Sequence, residues 1–172
     1  MEEKSNDKLR SQIQSLRSGN RSAILSTLKE FRVHGHISIL PYLLDLLVEQ
    51  ENEEIVSEIT SLLNDLKDQE SAELISKAIA NPDYLEVQTH LVAACWQNGL
   101  AYGKYIDTFV NVIITGEYSA AIEAFTVIEE AVGDLEPNRR ERLVKKVKAR
   151  LNEVDDQKKP LISELVKVIE RY

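Results

Sequence analysis

The same apolar slots recur four times along the 172-residue chain, at intervals of 32–35 residues. Ile55, Ile59, Leu62, Leu63 and Leu66 stand at relative positions 0, 4, 7, 8 and 11, which is one face of an α-helix. Thirty-two residues on, the slots hold Val87, Leu91, Ala94, Cys95 and Asn98; a further 34 on they hold Ala121, Phe125, Ile128, Glu129 and Val132. Thirty-five residues before the first set they hold Asn20, Ile24, Thr27, Leu28 and Phe31. We name these the A helices. A second set, the B helices, repeats between them. Ile39, Leu40, Leu43 and Leu44 become Leu74, Ile75, Ala78 and Ile79, then Phe109, Val110, Ile113 and Ile114, then Leu143, Val144, Val147 and Lys148. Fifteen of these sixteen slots are apolar, against 43% for the whole chain, so the register is real patterning. A closed bundle gives each helix an apolar face but no reason to keep such a register. Helical hairpins that shield one another by stacking side by side do have that reason.

Punctuation agrees. Gly19, Gly35, Gly99, Gly116 and Gly133 each follow a periodic stretch, where a left-handed residue closes a helix. Asn81-Pro82-Asp83 reads as a helix start, and Glu136-Pro137 and Lys159-Pro160 as two more. No segment alternates with period two, so strands are not expected. The reading is ten helices, near 3–17, 20–32, 38–50, 53–67, 70–80, 83–98, 103–115, 117–132, 137–154 and 159–172. The fold class is all-α: a right-handed α-α superhelix (solenoid) of four helical hairpins plus N- and C-terminal capping helices. It forms one domain over 1–172, with caps at 1–17 and 156–172 and repeat units at 18–50, 51–81, 82–115 and 116–155.

A two-helix unit of this length, repeated four times, resembles the HEAT and armadillo-like α-solenoids. Asp68 and Lys77 fit the turn Asp and the second-helix base of such a unit, and Asp134 fits the turn of the fourth. His34-Gly35 and Asn98-Gly99 stand at the other two turns, and no A helix has an internal proline. A tetratricopeptide-like array is the rival, and the units lack its Trp…Leu-Gly…Tyr spacing. The resemblance implies a curved rod with the B helices on its concave side, used as a binding scaffold.

The chemistry of enzymes is hard to find. The chain has no phosphate loop, no GxSxG elbow, no HExxH and no GxGxxG. The His-Glu pairs of HEAT-like di-iron hydroxylases are missing, since His34, His36 and His90 are followed by Gly, Ile and Leu. His34-Gly35-His36 offers two imidazoles, too few to hold a metal, and reads as a polar turn. Cys95, the one cysteine, excludes an internal disulfide and reads as a buried apolar residue. No metal or cofactor is expected. The first residues are polar and no run is apolar enough for a leader or a membrane span, so the expected location is the cytoplasm.

Charge carries more information. The net charge is −8, which argues against generic binding of nucleic acid or membrane. Its distribution is uneven: Asp45–Glu73 carries −9, Lys8–Arg32 carries +5 and Arg139–Arg150 carries +6. If slots 0, 1, 4 and 5 of each B helix are buried, positions −1, +2 and +3 face away. They read Ser38, Glu73, Thr108 and Arg142; Pro41, Ser76, Asn111 and Lys145; Tyr42, Lys77, Val112 and Lys146. The expected partner-binding residues are therefore Tyr42, Lys77, Asn111, Arg139, Arg142, Lys145 and Lys146. The aromatic corner Trp96, Tyr102 and Tyr105 joins them, because Trp and Tyr are favoured at interfaces. The expected function is a non-catalytic protein-interaction scaffold binding an acidic or mixed-charge protein or peptide on the B-helix face. A homo-oligomeric module held by the charge asymmetry, or nucleic-acid or phosphate binding through the basic 139–150 helix, are the alternatives. An enzyme with a diffuse site is a third.

Overall fold

The computed structural model describes the backbone of residues 2–34 and 36–172, and the side chains of 7–33 and 36–172. Among these residues the chain forms ten α-helices and no strand, so it is all-α. The helices are α1 (Glu2–Leu16), α2 (Arg21–His34), α3 (Leu40–Glu49), α4 (Glu53–Asn64), α5 (Ser71–Ile79), α6 (Gln88–Asn98), α7 (Ile106–Thr115), α8 (Tyr118–Ala131), α9 (Pro137–Ala149) and α10 (Lys159–Arg171). No helix among the described residues is long and apolar enough to cross a membrane.

Local chemistry sets the helix starts. The Asn52 carboxamide accepts from the amides of Glu54 (3.1 Å) and Ile55 (3.2 Å), supplying partners that the first turn of α4 lacks. Pro41, Pro137 and Pro160 lie in the first turn of α3, α9 and α10, where a missing N–H costs nothing. Asn81 does cap, its Oδ1 accepting from Asp83 N at 3.1 Å, but the residues after it differ from the expected helix. Pro82–Val87 winds as a 3-10 turn, and α6 begins only at Gln88. Gln88 explains the break, since its side-chain amide is turned back to donate to Ile79 O at 3.0 Å.

The apolar slots are the core. All the B slots are buried except Leu74, which is half-buried, and Lys148, which is exposed. Of the A slots, Asn20 and Glu129 are exposed, while Thr27 and Asn98 are buried despite being polar. A single buried apolar cluster runs from Leu16 to Ile169.

The even-numbered helices form a row, α2 on α4, α4 on α6, α6 on α8 and α8 on α10. Helices α1, α5, α7 and α9 each pack most closely on the even one that follows, whereas α3 meets α1 and α5 at least as closely as α4. For those four helices the closest pair is offset by one helix from the division at 18, 51, 82 and 116. The outward faces of the end helices are polar: Lys8, Arg10 and Gln14 on α1, and Glu164, Lys167, Glu170 and Arg171 on α10 are all exposed.

Two glycines depart from the expected role. Gly19 and Gly99 are left-handed, at φ +67° and +68°. Gly116 has φ −77° and ψ 175°, and Gly133 lies inside a 3-10 turn, so neither closes a helix by left-handed backbone. Gly116 is needed for space instead. A Cβ there would meet Val112 O at 2.7 Å and Gln88 Oε1 at 2.9 Å. The same spot holds Lys158, only 6% exposed, whose Nζ donates to Ile114 O (2.9 Å) and Gly116 O (2.8 Å). An ammonium group at the carboxyl end of α7 answers carbonyls that the helix leaves unpaired, with the dipole in its favour. Gln88 and Lys158 thus seal the edge where odd helices turn into even ones.

Candidate functional site

The other edge, where even helices turn into odd ones, is knit by side chains that act on backbone. The Gln69 amide donates to Ala101 O and accepts from Ala101 N, both at 2.9 Å, as a neighbouring strand would. Lys67 Nζ donates to Asn98 O at 3.1 Å. Arg139 donates to Lys104 O at 3.2 Å, and Arg140 to Leu135 O at 2.5 Å and Tyr172 O at 2.7 Å. Three consecutive turns, near residues 65–70, 99–105 and 132–136, are therefore fixed side by side.

Beneath them lies Asn98, the polar residue in an apolar slot. Its Nδ2 donates to Leu63 O at 3.3 Å and to the Tyr102 hydroxyl at 3.1 Å, and its Oδ1 accepts from Leu100 N at 3.0 Å. Each buried polar atom of that amide is answered, which is the condition for tolerating it there. The Tyr102 ring meets Phe109 edge-on at 5.5 Å. Cys95 packs alongside, its thiol donating to Leu91 O at 3.2 Å. Burial pushes that thiol up to about 12, so it stays protonated and unreactive, as the apolar slot implies. Burial likewise raises the Tyr102 hydroxyl above its ordinary range.

On this platform opens a groove of about 1220 Å³, reaching from Pro41 at the start of α3 to Arg139 at the start of α9. Its apolar side is formed by Leu74, Leu100, Tyr105 and Ala131, all half-buried. Its polar side carries Glu70, Glu73, Glu130 and Asp134 against Lys104 and Arg139. A second cavity of about 260 Å³ lies on the same edge, between Phe31 and Leu66. The mix of apolar and charged walls, open to solvent, suits a segment of polypeptide better than a small molecule, which needs a closed and mostly apolar site.

The expected binding residues do not gather in one place. Tyr105 and Arg139 line the groove. Tyr102 is 2% exposed and belongs to the core, so the expectation that it presents a surface ring is corrected. Trp96 is 37% exposed on α6 and faces α8, its Nε1 donating to Glu123 Oε2 at 2.6 Å. Tyr42 is half-buried beneath the Arg17 guanidinium, 5.1 Å from its ring centre.

The outward column of the B helices is also narrower than its spacing suggests. Ser76 and Val112 are buried, because α5 and α7 are covered on more than one side. Several of the remaining polar members are already engaged. Lys77 pairs with Glu73 (2.6 Å), Lys146 with Asp107 (2.7 Å), and Asn111 accepts from Arg150 (2.5 Å). The Lys77 ammonium holds the Glu73 carboxyl below its usual range, and Glu73 raises Lys77 in turn. Lys148 is taken by Glu170 at 2.8 Å. Of the basic 139–150 helix, Arg142 and Lys145 alone have no partner among the described residues. The dense charge of that segment is thus mostly internal wiring.

The two-imidazole turn is only partly described: the His34 side chain and Gly35 lie outside the described residues. His36 Nδ1 accepts from Ser38 N at 3.2 Å and caps the 3-10 turn at Ile37–Ile39. Among the described residues no group of three His, Cys, Asp or Glu side chains could hold a metal.

Gln69, Glu70, Leu100 and Glu130 were not read as site residues, and Asp134 was read only as a turn residue. They sit in or beside turns, where helical periodicity carries no signal. Compared with known families, curated proteins and solved structures, the chain matches none.

Proposed function

We propose that the protein is a HEAT- or armadillo-like right-handed solenoid, a non-catalytic cytoplasmic scaffold that holds a mixed-charge segment of another protein. The observation that carries the reading is the groove of about 1220 Å³ crossing successive turns, walled by both apolar and charged side chains. Three features support it. The row of even helices repeats the same contact, as stacked hairpins do. Gln69, Lys67 and Arg139 fix the turns, so a bound segment would meet a preformed surface and lose less in ordering it. Lys77, Asn111 and Lys146 on the outward B-helix face are engaged within the chain, which favours the groove over that face. Internal pairing of the basic 139–150 helix also weighs against nucleic acid, because phosphate contacts need free cations.

The test is to select peptides from a random library against the folded protein and map one by amide NMR. Shifts should cluster at residues 69–74, 99–105 and 130–139. Shifts confined to residues 142–146 would return the site to the basic helix, and shifts confined to α6 and α8 around Trp96 would place it at the aromatic corner.

A further inference from the structure

We propose that the groove takes an extended polypeptide segment bearing cationic side chains on both sides of an apolar centre, the cations meeting Glu70 at the α4–α5 turn and Glu130 and Asp134 at the end of α8. This rests on the groove being the binding site. The groove passes the starts of α3, α5, α7 and α9. At the usual 8–10 Å between packed helices, those four elements span about 27 Å. An extended chain laid across these turns covers that span. At about 3.4 Å per residue, eight or nine residues fill it.

Charge then selects the occupant. Glu70, Glu130 and Asp134 are exposed, and their carboxylates have no hydrogen-bond or ion-pair partner among the described residues. Glu73 is already engaged by Lys77. The bases of the groove stand between the acids. Lys104 lies close enough to Glu73 to lower its carboxyl, and the Arg139 guanidinium is turned onto Lys104 O. The free charge of the groove is therefore negative at the α4–α5 turn and at the end of α8. The intervening wall, Leu74, Leu100 and Tyr105, is apolar. An anionic segment would meet like charge at both ends, and such juxtaposition costs affinity.

The probe is a fluorescein-labelled nonapeptide with two lysines at each end of a leucine-rich centre, compared with counterparts whose ends are serine or glutamate. Binding is read by fluorescence anisotropy. The lysine peptide should bind at least tenfold tighter than the serine peptide, and the glutamate peptide weakest. The triple variant E70Q/E130Q/D134N should erase the lysine advantage. E49Q/E51Q/E53Q removes as much negative charge outside the groove and should leave that advantage within twofold. Equal loss in the two triple variants overturns the proposal, because net charge alone then explains the binding. A glutamate peptide that binds as well as the lysine one overturns it too. Ala101→Trp separates the two levels, since the Ala101 side chain is exposed at the groove. If Ala101→Trp weakens all three peptides alike and they bind equally, the groove stands and its preference for cations falls. If it weakens none, or if no peptide binds, the groove reading falls as well.

Discussion

Where odd helices turn into even ones, Gln88 and Lys158 are buried and donate to the backbone carbonyls of Ile79, Ile114 and Gly116; where even helices turn into odd ones, Glu70, Glu130 and Asp134 stand in solvent around a cavity. Both edges are made of short turns between helices of one repeating pattern. They differ in where the polar groups point. On the sealed edge a Cβ at Gly116 would collide with backbone, so the turn is closed by contact. On the open edge the backbone is paired from beneath by Gln69, Lys67 and Asn98, which leaves its upper surface free. One pattern of helices can thus carry a sealed edge and an open one, differing in a few turn residues.

The contrast can be broken in order of expected size. Lys158→Met leaves two buried carbonyls at the end of α7 without a donor and should cost about 3 kcal/mol in urea unfolding. A loss near zero would mean that water replaces the ammonium and that the edge is not sealed. Gly116→Ala puts a methyl against Val112 O and should cost about 2 kcal/mol by the same measurement.

Alkaline pH probes the layer under the groove. Cys95 has a folded pKa raised to about 12, so the folded chain keeps a proton that the unfolded chain releases near the ordinary thiol value. Stability is then full below that value and falls as pH rises through it, by about 1 kcal/mol between pH 9 and pH 10. Tyr84, raised to about 12 chiefly by its hydrogen bond to Asp45, extends the same decline above pH 10. Cys95→Ala should flatten the first part of the urea-midpoint curve, and an unchanged slope would deny that the thiol is desolvated. The smallest effect belongs to Gly103→Ala on the open edge. There a Cβ meets Leu135 Cδ2 at 3.4 Å, an ordinary contact, so thermal unfolding should show a gain of about 0.5 kcal/mol from the stiffer unfolded chain.

How much of this was legible in the sequence follows from where periodicity operates. The B slots from Ile39 to Val147 could be read because burial on one helix face repeats every three or four residues. Asn98 was legible as an exception: a polar residue in an apolar slot, which the structure explains by its three bonds. Ser76 and Val112 were misplaced because a helix covered on several sides buries more than one stripe. The offset pairing of odd helices with the even ones after them could not be read at all, since each helix carries one apolar face whichever neighbour meets it. Nor could Lys158 or Gln69. Both lie in turns, both act on backbone far along the chain, and a carbonyl leaves no mark in the sequence. The charged 139–150 helix shows the converse error, a conspicuous signal that the fold spends internally on Asp107, Glu153 and Glu170.

The reach of Lys158 also has a consequence for biosynthesis. Its partner Ile114 precedes it by 44 residues, which at ribosomal speeds of about 5–20 residues per second is a delay of roughly 2–9 s. During that interval the nascent α7 holds its final carbonyls bare, however well its own side chains have collapsed. Translation arrested between these two positions would release a product with a frayed α7, a natural handle for quality-control proteases.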